Sequence, residues 1–158
     1  MIWKSVSELR EACRKKRAFS LEAYLSAKTA KIIEFFRTNR LDSAVVGISG
    51  GVDSAAVLAL LLHAKEKAGS PLKAVLPLVV PIRGRGTTRQ DEAAAIACRY
   101  LDLRCPGGYV VFDLSSAYQR IVETANRREA TDAWADGQMA SVLRTPVFYY
   151  HAAIMQMK

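Results

Sequence analysis

Residues 47–56 read Gly47-Ile48-Ser49-Gly50-Gly51-Val52-Asp53-Ser54-Ala55-Ala56, and the runs on either side decide the fold. Before them comes Ala44-Val45-Val46, and after them Val57-Leu58-Ala59-Leu60-Leu61-Leu62. The short apolar run suits a buried strand and the longer one a helix, so the glycines mark a strand-to-helix turn. In open α/β sheets such a turn, at the carboxyl end of a strand, is where ligands bind. Glycine lets the backbone approach a ligand closely and adopt positive φ. The helix that follows begins with unpaired N–H groups and the positive end of its dipole. Ser49 and Ser54 add hydroxyls. Gly47 to Ser54 are therefore expected to form a cradle for phosphates. Asp53 would repel a bare phosphate. Its carboxylate suits the first helical turn, or a Mg²⁺ that bridges phosphates. No lysine follows the glycines as GxxxxGK[ST] requires, which excludes that loop type. On these residues alone a tight structural turn, capped by Asp53 or Ser54, remains the alternative.

Outward from the turn the pattern alternates. Residues 44–48 read as a strand, 53–68 as a helix stopped near Gly69-Ser70-Pro71, and 73–80 as a second strand in which Pro77 implies a bulge. A loop over 82–88 leads to a helix over 89–102. Cys105-Pro106-Gly107-Gly108 is a turn before a third strand, 109–113. Helices follow near 115–128 and 137–157; Pro146 in the last implies a kink or a start shifted to about 145. Towards the N-terminus, 4–17 is a short basic helix. Residues 21–38 form a better one, with Ser20 as N-cap and Leu21, Tyr24, Leu25, Ile32, Phe35 and Phe36 on one face. The expected fold class is α/β: a parallel sheet in three α/β/α layers. The expected division is an N-terminal helical segment, 1–40, and a nucleotide-binding domain, 41–158.

Length and composition narrow the class. A chain of 158 residues favours one domain, and 51% apolar residues suffice for a core. No stretch reads as a membrane span, and Met1-Ile2-Trp3-Lys4 lacks a signal-peptide layout. Cys13, Cys98 and Cys105 have no metal-type spacing and read as reduced thiols, so the expected location is cytoplasmic. The formal charge of +8 suits anionic partners. Arg14-Lys15-Lys16-Arg17 reads as a solvated helix face, whereas Arg83, Arg85 and Arg89 fall in a loop beside a strand end.

Ser49-Gly50-Gly51-Val52-Asp53-Ser54 directly after a strand resembles the signature of the ATP pyrophosphatases, the PP-loop family, whose fold is adenine nucleotide alpha hydrolase-like. Two further stretches narrow the likeness. Val80-Pro81 followed by Gln90-Asp91-Glu92-Ala93 is similar to the NAD synthetase pattern of a proline, a polar loop and an acidic helix start. Asp136-Gly137-Gln138-Met139-Ala140-Ser141-Val142-Leu143-Arg144-Thr145-Pro146, running into Phe148-Tyr149-Tyr150, is similar to the helix of that family that begins Gly-Asn, carries two arginines and meets an aromatic pair. The resemblance runs from Asp42 to the end. It implies ATP and Mg²⁺, with pyrophosphate held by residues 47–54 and Asp53 facing the metal. It also implies adenylation of the nicotinate carboxylate of deamido-NAD and attack by ammonia to give NAD. Gln138 and Arg144 are then candidates for substrate binding, and Arg83 and Arg85 for nucleotide binding.

The sequence also departs from the family. Gln138 stands for asparagine, and the first family arginine aligns with Val142, leaving Arg144 to match the second. The family's fourth and fifth strands would follow Lys158, so the chain is expected to be the N-terminal portion of the synthetase domain, truncated after the third strand and its helices. The first strand would then be a bare apolar edge. The last helix, apolar nearly all round, would need cover, and the family suggests a homodimer through it. Two other readings stand beside this one: a nucleotide-binding, dimerising remnant without catalysis, and a tRNA-modifying PP-loop enzyme. The second is favoured by the charge, but no CxxC pair or RNA-binding appendage supports it, and no nucleic acid partner is expected.

Overall fold

The computed structural model describes residues 5–16, 18–82, 88–125 and 133–156. Three strands, β1 (Ser43–Gly47), β2 (Ala74–Val79) and β3 (Val110–Val111), run parallel in the order β1-β2-β3. The helices are α1 (Val6–Lys16), α2 (Leu21–Thr38), α3 (Val52–Lys65), α4 (Thr88–Arg104), α5 (Ser115–Ala125) and α6 (Ala133–Gln156).

Period-two alternation sorts the strand residues onto two faces. Val46, Ile48, Val75 and Val79 pack with Leu58 of α3 and with Ala97 and Leu101 of α4. Val45, Leu76, Leu78 and Val80 pack with Leu114, Tyr118 of α5, and Ala140 and Val147 of α6. Both faces are thus covered, as all-parallel sheets require. Successive right-handed crossovers in one direction put α3 and α4 on the same side. α5 and α6 take the other side, and α6 returns across β1.

Pro77 sits in the middle strand, opposite Val46, without a bulge in the β1–β2 register. Alternation explains why. Ile48 N donates to Leu78 O on the β1 side, whereas Phe112 N donates to Val79 O on the β3 side. Pro77 shares the orientation of Val79, so its missing N–H faces β3. The β3 ladder begins only at Val110, opposite Leu78, so no ladder bond is lost there. By the same alternation the backbone groups of Ser43, Val45 and Gly47 point away from β2. Among the described residues β1 is an end strand.

Ser20 caps α2 as expected, accepting from Ala23 N at 3.2 Å. The inward face of α2 is shifted from the expected one. Phe36 packs with Ala64 and Leu72, supported by Ile32 and Ile33, while Phe35 is 57% exposed. Adjacent helical residues lie about 100° apart, so both rings cannot share one narrow face. α6 starts at Ala133 and passes through Pro146 unbroken, so its start does not move to 145. The carbonyl that Pro146 deprives of a donor belongs to Val142, a residue on the exposed side of the helix.

Candidate nucleotide site

β1 delivers the chain to the carboxyl edge of the sheet, where Gly50 turns it with φ 82°. Gly51 is the N-cap of α3, and no side chain caps that helix. The serine hydroxyls bind the loop to itself instead. Ser54 Oγ donates to Gly51 O at 2.9 Å and accepts from Ser49 N at 3.2 Å. Ser49 Oγ lies 3.2 Å from Ser54 Oγ and accepts from Gly51 N at 3.4 Å. The first backbone bond into the helix is Ala55 N to Gly51 O. The leading N–H groups of α3 are therefore left for a ligand at the positive end of the dipole. Asp53 is exposed in this first turn and does not cap it. Neither Asp53 nor Ser54 thus serves as the expected cap.

Two helices press on the loop and fix its shape. The carbonyl of Ala93 in α4 packs so closely on Gly50 that a Cβ there would overlap it. Tyr100 of α4 donates its hydroxyl to Ala55 O at 3.2 Å. From the opposite face, the ring of Phe148 in α6 lies against Gly47.

Beside the loop a cavity of about 510 Å³ opens at the carboxyl ends of β1 and β2. Gly47, Ile48 and Ser49 form one wall, Val80 and Pro81 the floor, and α6 contributes Ser141, Arg144 and Phe148. Those three α6 residues fall at i, i+3 and i+7, one helical face. Arg144 Nε donates to Val80 O and Nη1 to Ala140 O, both at 2.9 Å. Burial pushes the guanidinium pKa down from its ordinary value.

The structure separates the residues singled out from the sequence. Gly47, Ile48 and Ser49 line the cavity, whereas Gly50, Gly51, Val52, Asp53 and Ser54 form the turn and the helix start beyond its wall. Gln138 is exposed and off the cavity wall. Val142 is 64% exposed, and its side of α6 is not the cavity side. Arg83 and Arg85 lie outside the described residues. Ser141 and Phe148 were not singled out as site residues. Their helical spacing with Arg144 was visible, but which face met the loop depended on the path of α6 across β1. Among the described residues no cluster of three His, Cys, Asp or Glu side chains could hold a metal alone. A single carboxylate beside phosphates still suits Mg²⁺, which keeps several waters. Neither histidine faces the cavity; His151 packs edge-on to the Phe112 and Tyr150 rings.

A parallel α/β sheet with an uncapped glycine–serine loop at a strand end is the architecture of the open α/β class, and a helix start of this kind suits an anion. The NAD synthase family model matches residues 24–157, and the chain belongs to that family. It is 30% identical over 126 residues to the NH(3)-dependent NAD(+) synthetase of Methanosarcina acetivorans, a match covering 77% of this chain and 46% of the relative. The chain thus spans about half the length of the curated relative it matches. The NH3-dependent NAD synthetase from Campylobacter jejuni, solved with a nitrate ion, superposes with a TM-score of 0.68 at 21% identity, over 86% of this chain and 53% of that one. NMN synthetase from Francisella tularensis superposes with a TM-score of 0.70 at 18% identity, over 85% and 51%. At such identities the two structures support the fold.

Proposed function

We propose that the chain carries the ATP-binding part of an ammonia-dependent NAD synthetase. In the reaction, a carboxylate oxygen of deamido-NAD attacks the α-phosphorus of ATP and pyrophosphate leaves. Ammonia then attacks the acyl carbon of the adenylate, AMP leaves and a proton passes to solvent, giving NAD. The observation that carries this reading is the serine-tied loop 49–54, which leaves the α3 terminus open at the end of β1. Backbone N–H groups there would hold the departing pyrophosphate, stabilising charge that grows as the bond breaks. Asp53 would hold Mg²⁺ against the phosphates, and the ion would neutralise part of their charge. Of the two α6 candidates for substrate contacts, Arg144 lines the cavity, whereas Gln138 lies off its wall.

In this reading residues 1–40 are an N-terminal helical segment and 41–158 part of a PP-loop ATP-binding synthetase domain. A homodimer through α6 would cover Val142, Tyr149, Tyr150 and Ile154, which are exposed in the single chain. No described helix is long and apolar enough to cross a membrane, and the location proposed with this reading, from its reduced thiols, is cytoplasmic.

Calorimetric titration with ATP–Mg²⁺, wild type against Gly51→Val and Asp53→Ala, tests the loop. Absence of ATP and pyrophosphate binding by the wild type would remove the assignment. A second reading is a nucleotide-binding chain without turnover. Formation of NAD from deamido-NAD, ammonia and ATP decides between the two. Robust turnover would exclude the second reading.

A further inference from the structure

Arg144 enters the cavity wall from α6 with two of its nitrogens already committed. Nε and Nη1 donate to the carbonyls of Val80 and Ala140, which holds the guanidinium plane still against the end of β2. Nη2 and the second hydrogen of Nη1 have no partner among the described residues. No carboxylate among them pairs with this side chain. Such a state is unfavourable for a half-buried cation, because carbonyl dipoles replace only part of the lost hydration. A guanidinium whose orientation is fixed in advance, with an edge left over, is suited to an anion.

The cavity identifies which anion. It is shared with Gly47, Ile48 and Ser49, the entry to the loop, and is of a size that takes a nucleotide. Val142, aligned with the substrate arginine of the family, is on the other side of the helix. Arg144 therefore does not occupy a position equivalent to that arginine.

We propose that Arg144 binds the nucleoside triphosphate taken by the 49–54 loop, its free Nη2 edge meeting the phosphate chain, and that it does not replace the dinucleotide-binding arginine aligned with Val142. This rests on the loop reading above. Arg144 and the loop then hold one polyanion from two sides, the helix α6 and the strand β1.

The test is binding of ATP–Mg²⁺, pyrophosphate–Mg²⁺ and deamido-NAD to the whole chain, in the wild type, Arg144→Met, Arg144→Lys and Gly51→Val. Losing one charge-assisted contact should weaken ATP–Mg²⁺ binding by about tenfold in Arg144→Met, with partial recovery in Arg144→Lys. Deamido-NAD binding should be unchanged by either. Removing the guanidinium also frees two carbonyls, so unliganded melting temperatures are measured alongside; if the Met variant does not fold, Arg144→Lys decides. Lowered melting with wild-type ATP affinity in both variants overturns the proposal in favour of a purely structural clamp. Loss of deamido-NAD binding with ATP binding intact overturns it in favour of the substrate. Gly51→Val abolishing ATP binding while both Arg144 variants bind normally would defeat this proposal and leave the loop assignment standing. No ATP or pyrophosphate binding by the wild type defeats both.

Discussion

The ring of Phe148 rests on Gly47: a Cβ added at residue 47 would lie 2.6 Å from Phe148 Cζ. This contact joins the end of β1 to α6 and sets one side of the cavity. Gly47→Ala is expected to push the ring into the cavity rather than shift the strand, because the ring tip has open space beside it. Overpacking of this kind costs about 1–2 kcal/mol of stability. Nucleotide binding should suffer more than stability does. Phe148→Leu combined with Gly47→Ala should recover both, measured as melting temperature and ATP affinity in a double-mutant cycle. Additive losses in the cycle would show that the two residues do not constrain each other.

Gly50 is under a different constraint. Its φ of 82° is left-handed, and the carbonyl of Ala93 occupies the space a side chain would need. Backbone cannot swing away as a ring tip can. Gly50→Ala should destabilise the fold by about 2–4 kcal/mol, from backbone strain and the clash together. Urea unfolding checks this, and a loss below that of Gly47→Ala would contradict the geometry.

Thr29 shows the opposite sign. It is 3% exposed on the inner face of α2, and its hydroxyl has no hydrogen-bond partner. Burying an unpaired hydroxyl is unfavourable, so Thr29→Val should be neutral or stabilising by up to about 1 kcal/mol. A clear loss of melting temperature in the valine variant would refute it.

Tyr109 donates its hydroxyl to Asp102 Oδ1 at 2.7 Å, and that bond to a carboxylate pushes the phenol pKa up to about 12. The folded state therefore holds this proton more tightly than the unfolded chain. Its contribution to stability is present below pH 10 and is lost as pH rises from about 10 to about 12. Absorbance at alkaline pH should show a tyrosine component that ionises near pH 12. Tyr109→Phe should delete that component; an unchanged profile would break the assignment.

Much of this protein could be read from local sequence. The strand–loop–helix at 44–62 was legible because its composition changes sharply: apolar branched residues, then glycine and serine, then a long apolar run. Ser20 could be placed because capping depends on neighbours a few residues away. Pro77 was misleading, since its effect depends on where β3 begins, and a strand cannot report its partner's first residue. Phe35 and Phe36 looked alike in pattern, yet only the docking of α2 on α3 decided which ring is buried.

By itself, the sequence determined the alternating α/β class, the parallel sheet and the glycine turn from strand to helix at residues 47–54. These follow from side-chain period and from the conformational freedom of glycine, which are local properties. Tertiary structure alone decided that α6 crosses back over β1. That crossing brings Ser141, Arg144 and Phe148 to the loop, turns Val142 outward and leaves Gln138 off the wall. Which face of a helix meets a site about 95 residues earlier depends on how three layers pack together. Pairing over such distances is set by the shape of the assembled core, and no short window of sequence contains it.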